Sequence, residues 1–137
     1  MPDSDATYVT VKGGCHCGDV RFEADLPLLI RAVECNCSIC TQSGYQHVFV
    51  DKTQLRWLAG QSRLSEYRFN TRSARHWFCP RCGIKSVYVP RSHPDGYSLN
   101  LRCLELSDHF AIEMAAFDGR HWSANIQQLH SHGPSDD

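Results

Sequence analysis

Seven of the chain's eight cysteines lie in three short clusters, and this grouping is the strongest chemical signal in the sequence. The clusters consist of Cys15 and Cys17, of Cys35, Cys37 and Cys40, and of Cys79 and Cys82. The first residues, MPDSDATYVTVKGG, contain no apolar run of the kind found in a secretory signal, so we do not expect disulfides. Clustered cysteines in such a chain more often bind metal or do redox chemistry.

The pair Cys79 and Cys82 has the C-x-x-C-G form of a zinc knuckle. Its two cysteines flank a tight turn, and the following Gly83 tolerates the backbone conformation that lets amide groups point at the sulfurs. A knuckle supplies two ligands, and Cys15 and Cys17 offer two more. Four thiolates would close a structural zinc site and tie the N-terminal strand to the middle of the domain. The alternative is a redox C-x-x-C, but no thioredoxin-like βαβ pattern surrounds it.

The segment VECNCSICTQSG offers three cysteines at C-x-C-x-x-C spacing rather than four. One turn can wrap them around a single ion, and three protein ligands leave a fourth position open, as in catalytic zinc sites. Three thiolates on a dication leave one net negative charge, so this zinc would suit a soft fourth ligand, namely a substrate thiolate. The alternative is a closed structural site in which a histidine is the fourth ligand. The candidates for that ligand are His16, His47 and His76.

Short strand-like runs separate the clusters. In DVRFEADL, Val20 and Phe22 share one face while Arg21 and Glu23 share the other. Runs such as HVFV, KSVYVP and GYSLNLRCL are rich in aromatic and β-branched residues. The pattern predicts a mainly-β single domain, made of two or more short antiparallel sheets pinned by metal. A short helix is expected in HWSANIQQLH, and one helical turn in SICTQSG.

Composition and charge exclude several classes of function. Hydrophobic residues make up 42% and charged residues 21% of the 137 residues, which is typical of a soluble globular chain. The 14 basic and 15 acidic residues argue against nucleic acid as the main partner. No run approaches the roughly 18 apolar residues of a membrane span, so we expect a cytoplasmic protein. We expect one domain over residues 13–130, after an extension and first strand (1–12) and before a frayed tail (131–137).

The clusters and their flanking segments resemble the glutathione-dependent formaldehyde-activating enzyme and centromere protein V family. The resemblance runs from about Gly13 to Trp122 and rests on GGCHCGDVRFEADLPL, ECNCSICTQSG, FCPRCGIKSVYVPRSHPDG and FDGRHW. It implies a β-tent fold with two zinc ions per chain, one structural and one with its fourth position available. By position, the resemblance assigns Cys15, Cys17, Cys79 and Cys82 to the structural zinc and Cys35, Cys37 and Cys40 to the second.

The activity that the resemblance implies is condensation of glutathione with formaldehyde to S-hydroxymethylglutathione, which in reverse is a carbon–sulfur lyase step. The expected partner is therefore a small-molecule thiol such as glutathione. His47, or else His76, is a candidate for moving the proton when a thiol adds to a carbonyl. Cys103, outside the clusters, is expected to be a buried small apolar residue. Since glutathione is anionic, basic residues near the second zinc would help to bind it, and the candidates are Arg75, Lys85, Arg91 and Arg102.

The sequence does not indicate an oligomeric state. It also leaves two other classes of function open. One is a non-catalytic zinc-binding interaction module of the centromere protein V type. Chromatin or microtubule binding would favour a basic extension, whereas the residues before Cys15 carry Asp3 and Asp5 against Lys12. The other is a thiol redox protein that uses Cys37 and Cys40 without metal.

Overall fold

A computed structural model describes residues 7–69 and 73–130, apart from the side chains of residues 127–130. The strands in these ranges are β1 (Tyr8–Gly14), β2 (Arg21–Pro27), β3 (Leu29–Cys35), β4 (Gln46–Asp51), β5 (Leu55–Ala59), β6 (Ser65–Tyr67), β7 (His76–Phe78), β8 (Val87–Tyr88), β9 (Gly96–Asn100) and β10 (Ala111–Phe117). The α-helices are α1 (Ser38–Ser43) and α2 (Trp122–His130).

The described strands form three sheets. One sheet has the order β1-β2-β5, a larger one has the order β10-β3-β4-β9-β8, and β6 pairs with β7. Strand β2 shows the sequence alternation directly, because Phe22, Ala24 and Leu26 are buried while their neighbours are partly exposed. These side chains pack against Ile30 and Ala32 of β3, so the main core lies between the two larger sheets. The prediction of a mainly-β domain with more than one antiparallel sheet is confirmed.

Strand β10 is parallel to β3, whereas the other paired strands that the structure describes are antiparallel. Its register places Phe117 beside Cys35, the last residue of β3. The chain between the two strands includes most of the domain, so no short-range pattern in the sequence predicts this pairing. The pairing brings the segment FDGRHW to the end of β3, where the second cysteine cluster begins.

Both predicted helical segments are confirmed, since α1 lies in SICTQSG and α2 in HWSANIQQLH. Residues 131–137, predicted as a frayed tail, and residues 1–6 of the predicted extension lie outside the described residues. The division into 1–12, 13–130 and 131–137 stays a prediction. None of the helices in the described ranges is long and apolar enough to cross a membrane.

Candidate functional site

The first and third cysteine clusters meet in the folded chain. Cys15 and Cys17 follow β1, Cys79 and Cys82 follow β7, and their four Sγ atoms all lie within 4.8 Å of one another. The Sγ atom of Cys17 is 3.7 Å from that of Cys15 and 3.7 Å from that of Cys79. A tetrahedron of thiolates with Zn–S bonds of about 2.3 Å needs sulfurs about 3.8 Å apart. The four cysteines therefore fit a closed zinc site, which we call the closed cluster.

Backbone groups orient the sulfurs of the closed cluster. The amide of Val20 donates to Sγ of Cys15 at 3.3 Å. Gly83 has φ +76°, a left-handed conformation that favours glycine, and its amide donates to the carbonyl of Cys79 at 2.8 Å. Val20, Trp57 and other apolar side chains pack around the sulfurs. This packing links the end of the first sheet to the β7–β8 loop.

The three remaining clustered cysteines form a second group, which we call the open cluster. Cys35 ends β3, Cys37 directly precedes α1, and Cys40 lies within α1. Their Sγ atoms lie within 4.8 Å of one another. Among the described residues, no histidine, further cysteine or acidic side chain supplies a fourth ligand atom to this group. The neighbouring thiols lower the pKa of Cys37 to about 2 and raise that of Cys40. A divalent cation bound to the three sulfurs would allow all of them to be thiolates together.

His47 contacts the open cluster through Cys40. Its Nε2 atom lies 3.1 Å from Sγ of Cys40, while Nδ1 lies 2.8 Å from Oγ of Ser98 and 3.3 Å from the hydroxyl of Tyr88. Burial, followed by the charge of Lys85, lowers the pKa of His47 to about 3, so the ring is neutral at neutral pH. When either hydroxyl donates to Nδ1, that nitrogen is the acceptor of the neutral ring, so the ring proton is on Nε2 and is donated to the Cys40 sulfur.

The other two histidines that the sequence offered as ligands lie elsewhere. His16 is exposed, and His76 is buried at the start of β7, where it borders a cavity next to the open cluster. Neither belongs to either group of ligand atoms that the structure brings together in its described part. The geometry thus gives no support to a histidine that closes the second site.

The open cluster faces a cavity of about 330 Å³, which is large enough for a small organic ligand. The three cysteines, His47 and His76 line one part of it. Aromatic side chains, among them Phe49, Tyr88 and Trp122, form much of the remaining wall. Two cations, Arg91 and Arg120, also line the cavity, and the Arg91 guanidinium lies 3.6 Å from the centre of the Trp122 ring. The site combines thiolates, an apolar wall and positive charge.

The turn after β10 is fastened to the open cluster by Asn36. The Asn36 side chain donates to the Asp118 carboxylate at 3.1 Å and accepts from the backbone amide of Arg120 at 3.1 Å. The backbone carbonyl of Asn36 accepts from Arg120 Nε at 2.9 Å. Gly119 lies against the cluster so closely that a Cβ atom there would collide with Sγ of Cys35. The residue between Cys35 and Cys37 thus fixes the segment that carries one of the two cavity cations.

Comparison with known proteins is consistent with this geometry. Residues 10–120 match the family model of the glutathione-dependent formaldehyde-activating enzyme. The chain belongs to this family. It is also similar to a protein from Rhodobacter sphaeroides whose crystal structure is known, with a TM-score of 0.63 and 33% identity. That similarity covers 76% of this chain and 99% of the other. The resemblance drawn from the cysteine segments is confirmed.

The structure separates the basic residues that the sequence proposed for this family member. Arg91 lines the cavity, and Lys85 lies behind His76, with its Nζ atom 2.9 Å from Nδ1 of that ring. Arg75 and Arg102 are exposed and are not among the residues that line the cavity. Cys103 is partly buried, and burial raises its pKa to about 11, which agrees with an unreactive thiol.

Sequence reasoning missed Arg120, Asn36 and Gly119. Arg120 lies 84 residues after Asn36 in the chain, and only the parallel pairing of β10 with β3 brings the two together. The sequence contained one signal for them, the segment FDGRHW, in which an Asp-Gly pair marks a turn.

Proposed function

We propose that the protein is a zinc-dependent carbon–sulfur lyase that forms and cleaves the adduct of a thiol, such as glutathione, with a small aldehyde, such as formaldehyde. The observation that carries the proposal is the open cluster, whose three sulfurs face a 330 Å³ cavity and have no fourth protein ligand among the described residues. Membership of the family supports a glutathione- and formaldehyde-related activity in general. The reducing cytoplasm would keep both the clusters and a thiol cosubstrate in their thiol form.

Two zinc ions per chain are proposed. Cys15, Cys17, Cys79 and Cys82 would hold the structural ion, and Cys35, Cys37 and Cys40 would hold the second. The second zinc, when bound, would lower the pKa of a substrate thiol at the fourth position and so present it as a thiolate near neutral pH.

The side chains around the cavity supply binding and orientation. The guanidinium groups of Arg91 and Arg120 offer positive charge to an anionic thiol such as glutathione. The aromatic wall excludes water from the sulfur and strengthens these charge interactions. His47 borders the same cavity and is a candidate for proton transfer, as the sequence suggested. Because its Nε2 atom is directed at Cys40, its first role in this proposal is to stabilise the charge of that thiolate.

An exchange measurement tests the activity. The rates of interconversion between glutathione, formaldehyde and their adduct would be measured by NMR with the wild type, with Cys40→Ser and without protein. We expect faster exchange only with the wild type, and Cys103→Ser is the matched control because Cys103 lies outside both clusters. Equal rates for wild type and Cys40→Ser across a range of pH would exclude this substrate pair. If the protein binds zinc but accelerates no such exchange, the interaction-module alternative gains support.

A further inference from the structure

Lys85 is a partly buried cation for which the described part of the chain offers no carboxylate partner. Among the described residues none of its contacts is an ion pair; its Nζ atom lies 3.6 Å from the centre of the Tyr88 ring, 4.5 Å from that of Tyr45 and 2.9 Å from Nδ1 of His76. Buried charges are normally paired, so this ammonium needs a compensating charge. The thiolate forms of Cys40 and Cys37 favour the protonated form of Lys85 by their charge. The open cluster thus supplies negative charge that stabilises this ammonium.

His76 connects Lys85 to the cavity. Its ring is 6% exposed and is held between aromatic rings, with centroids 4.8 Å from Tyr88 and 5.3 Å from Phe69. An ammonium group can only donate, so Nδ1 of His76 must accept the hydrogen bond from Lys85. The proton of the neutral ring is then on Nε2. In the part of the chain that the structure describes, Nε2 has no hydrogen-bond partner, and His76 lines the cavity.

We propose that His76 is the catalytic proton donor for the adduct and that Lys85 is the residue that orients it. In this arrangement the N–H group at Nε2 of His76 protonates the alkoxide oxygen formed from the aldehyde, and Lys85 holds Nδ1 as an acceptor. The inference rests on the proposed function for its reaction, but it assigns the proton transfer to a different histidine from the one adjoining Cys40.

The proton balance of the step is complete. The substrate sulfur donates an electron pair to the carbonyl carbon, forming the C–S bond, while the π pair of the C=O bond moves onto oxygen. The alkoxide takes the proton from Nε2 of His76, and Nδ1 takes one from the Lys85 ammonium. The proton released when the next substrate thiol ionises goes to Nε2 of His76, and Nδ1 returns its proton to the Lys85 amine, so the ring tautomer and the ammonium are both restored. Burial lowers the pKa of Lys85 to about 8, so the group is charged at neutral pH and gives up its proton readily.

His47 is less suited to this step because both of its ring nitrogens are engaged. Nε2 is directed at the Cys40 sulfur and Nδ1 at Ser98 and Tyr88. In His76 one nitrogen is engaged by a charged donor and the other is left for a ligand. The two histidines therefore have separate tasks: His47 stabilises the Cys40 thiolate, and His76 protonates the alkoxide oxygen of the adduct.

The first test reads the protonation of the His76 ring directly and needs no turnover. Long-range ¹H–¹⁵N NMR spectra of the zinc-loaded, ¹⁵N-labelled protein distinguish the two imidazole tautomers. We expect His76 to carry its proton on Nε2 in the wild type and in Lys85→Arg, and to lose this preference in Lys85→Met. A wild-type ring protonated on Nδ1, or a tautomer that Lys85→Met leaves unchanged, would overturn the proposal. The wild-type spectrum alone tests the predicted tautomer of His76, even if a variant fails to fold.

The second test separates proton donation from binding. His76→Phe keeps the stacked ring but removes the donor, and we expect kcat for adduct exchange to fall by about 100-fold, with KM for the thiol changed by less than about threefold. Lys85→Met should show the same pattern and Lys85→Arg should recover part of kcat. An unchanged kcat in His76→Phe would refute the donor role. A wild type without exchange activity would count against the proposed function, whereas the tautomer spectra judge the His76–Lys85 arrangement independently.

Discussion

Nε2 of His47 lies 3.1 Å from Sγ of Cys40, and this contact joins strand β4 to helix α1 at the open cluster. The ring is 3% exposed, and hydroxyls of Ser98 and Tyr88 lie beside its other nitrogen. An N–H donor beside a metal-binding thiolate disperses part of its negative charge. Such contacts around the ligands orient them and adjust the affinity for metal.

Replacing His47 should therefore weaken the second metal site alone. In His47→Phe the new ring can keep the stack on Phe49, whose centroid is 5.5 Å away, but the N–H donor is lost. We expect the affinity of the second zinc to fall by about 10- to 100-fold and that of the first to be unchanged. Competition titration against a chromogenic chelator resolves the two sites, with His109→Phe as an exposed control. Equal affinities in wild type and variant would mean that the histidine serves only packing.

The two clusters should differ in their contribution to stability. Cys79 is 1% exposed within the closed cluster, and its sulfur is one of four that bring separate parts of the chain together. Cys79→Ser should lower the melting temperature by about 10 °C or more, since a closed structural site contributes folding energy directly. Cys40→Ser should lower it much less while removing the second zinc, and Cys103→Ser should do neither. Similar losses for Cys79→Ser and Cys40→Ser would make the second site structural as well.

Much of the fold and of both clusters could be predicted because their signals are local. The alternation around Phe22 predicts strand β2, and C-x-x-C-G at Cys79 predicts a knuckle without knowledge of anything distant. The grouping of Cys15 and Cys17 with the knuckle followed from counting ligands, since a closed site needs four. The assignment of zinc itself stays a prediction, which elemental analysis of the purified protein decides.

The rest of the site depends on tertiary contacts that leave no periodic pattern. Arg75 and Lys85 are both basic residues near the knuckle, yet one is exposed and the other packs on Tyr88. Composition cannot distinguish them, because only the tertiary course of the chain before β7 and between β7 and β8 decides which side chain turns inward. Arg120 reaches the cavity through the parallel pairing of β10 with β3, which joins chain segments far apart in sequence.

Gly119 should be required for the open cluster. A Cβ atom at this position would meet Sγ of Cys35, and the neighbouring hydrogen bonds from Asn36 leave the turn little room to move. In Gly119→Ala we expect zinc content to fall from two ions toward one per chain, measured by elemental analysis. Ser123→Ala, at the cavity rim in the same part of the chain, is the control and should keep both ions. Full zinc content in Gly119→Ala would show that the backbone of the turn can shift enough to accommodate a Cβ atom.

His76 should make the folded protein less stable as the pH falls. Burial, followed by the charge of Lys85, lowers its pKa to about 4, whereas the unfolded chain has an ordinary value near 6.5. Between about pH 6.5 and pH 4 the His76 side chain binds a proton in the unfolded state but not in the folded state. The free energy of unfolding therefore falls as the pH falls toward 4. The loss is up to about 1.4 kcal/mol per pH unit.

Urea unfolding at pH 7 to 5 with excess zinc measures this contribution. His76→Phe should show a shallower fall of unfolding free energy with pH than the wild type, because it lacks the titrating ring. The cysteines and the metal are common to both proteins, so their contributions cancel in the difference between the slopes. Identical slopes would mean that the ring protonates equally well in the folded and unfolded states.

Arg91 should distinguish anionic from neutral thiols. Its guanidinium packs on Trp122 and lines the cavity, so Arg91→Met keeps apolar contact with the indole but removes the charge. A hydrogen bond to a charged group contributes about 1.5 to 3 kcal/mol, and we therefore expect KM for glutathione to rise about 10-fold or more. KM for 2-mercaptoethanol, which has no carboxylate, should stay within about twofold. Arg102→Met, at an exposed position away from the cavity, should change neither value. An equal rise for both thiols would mean that Arg91 shapes the cavity rather than binding a carboxylate, and the positive charge needed for an anionic thiol would then come from Arg120.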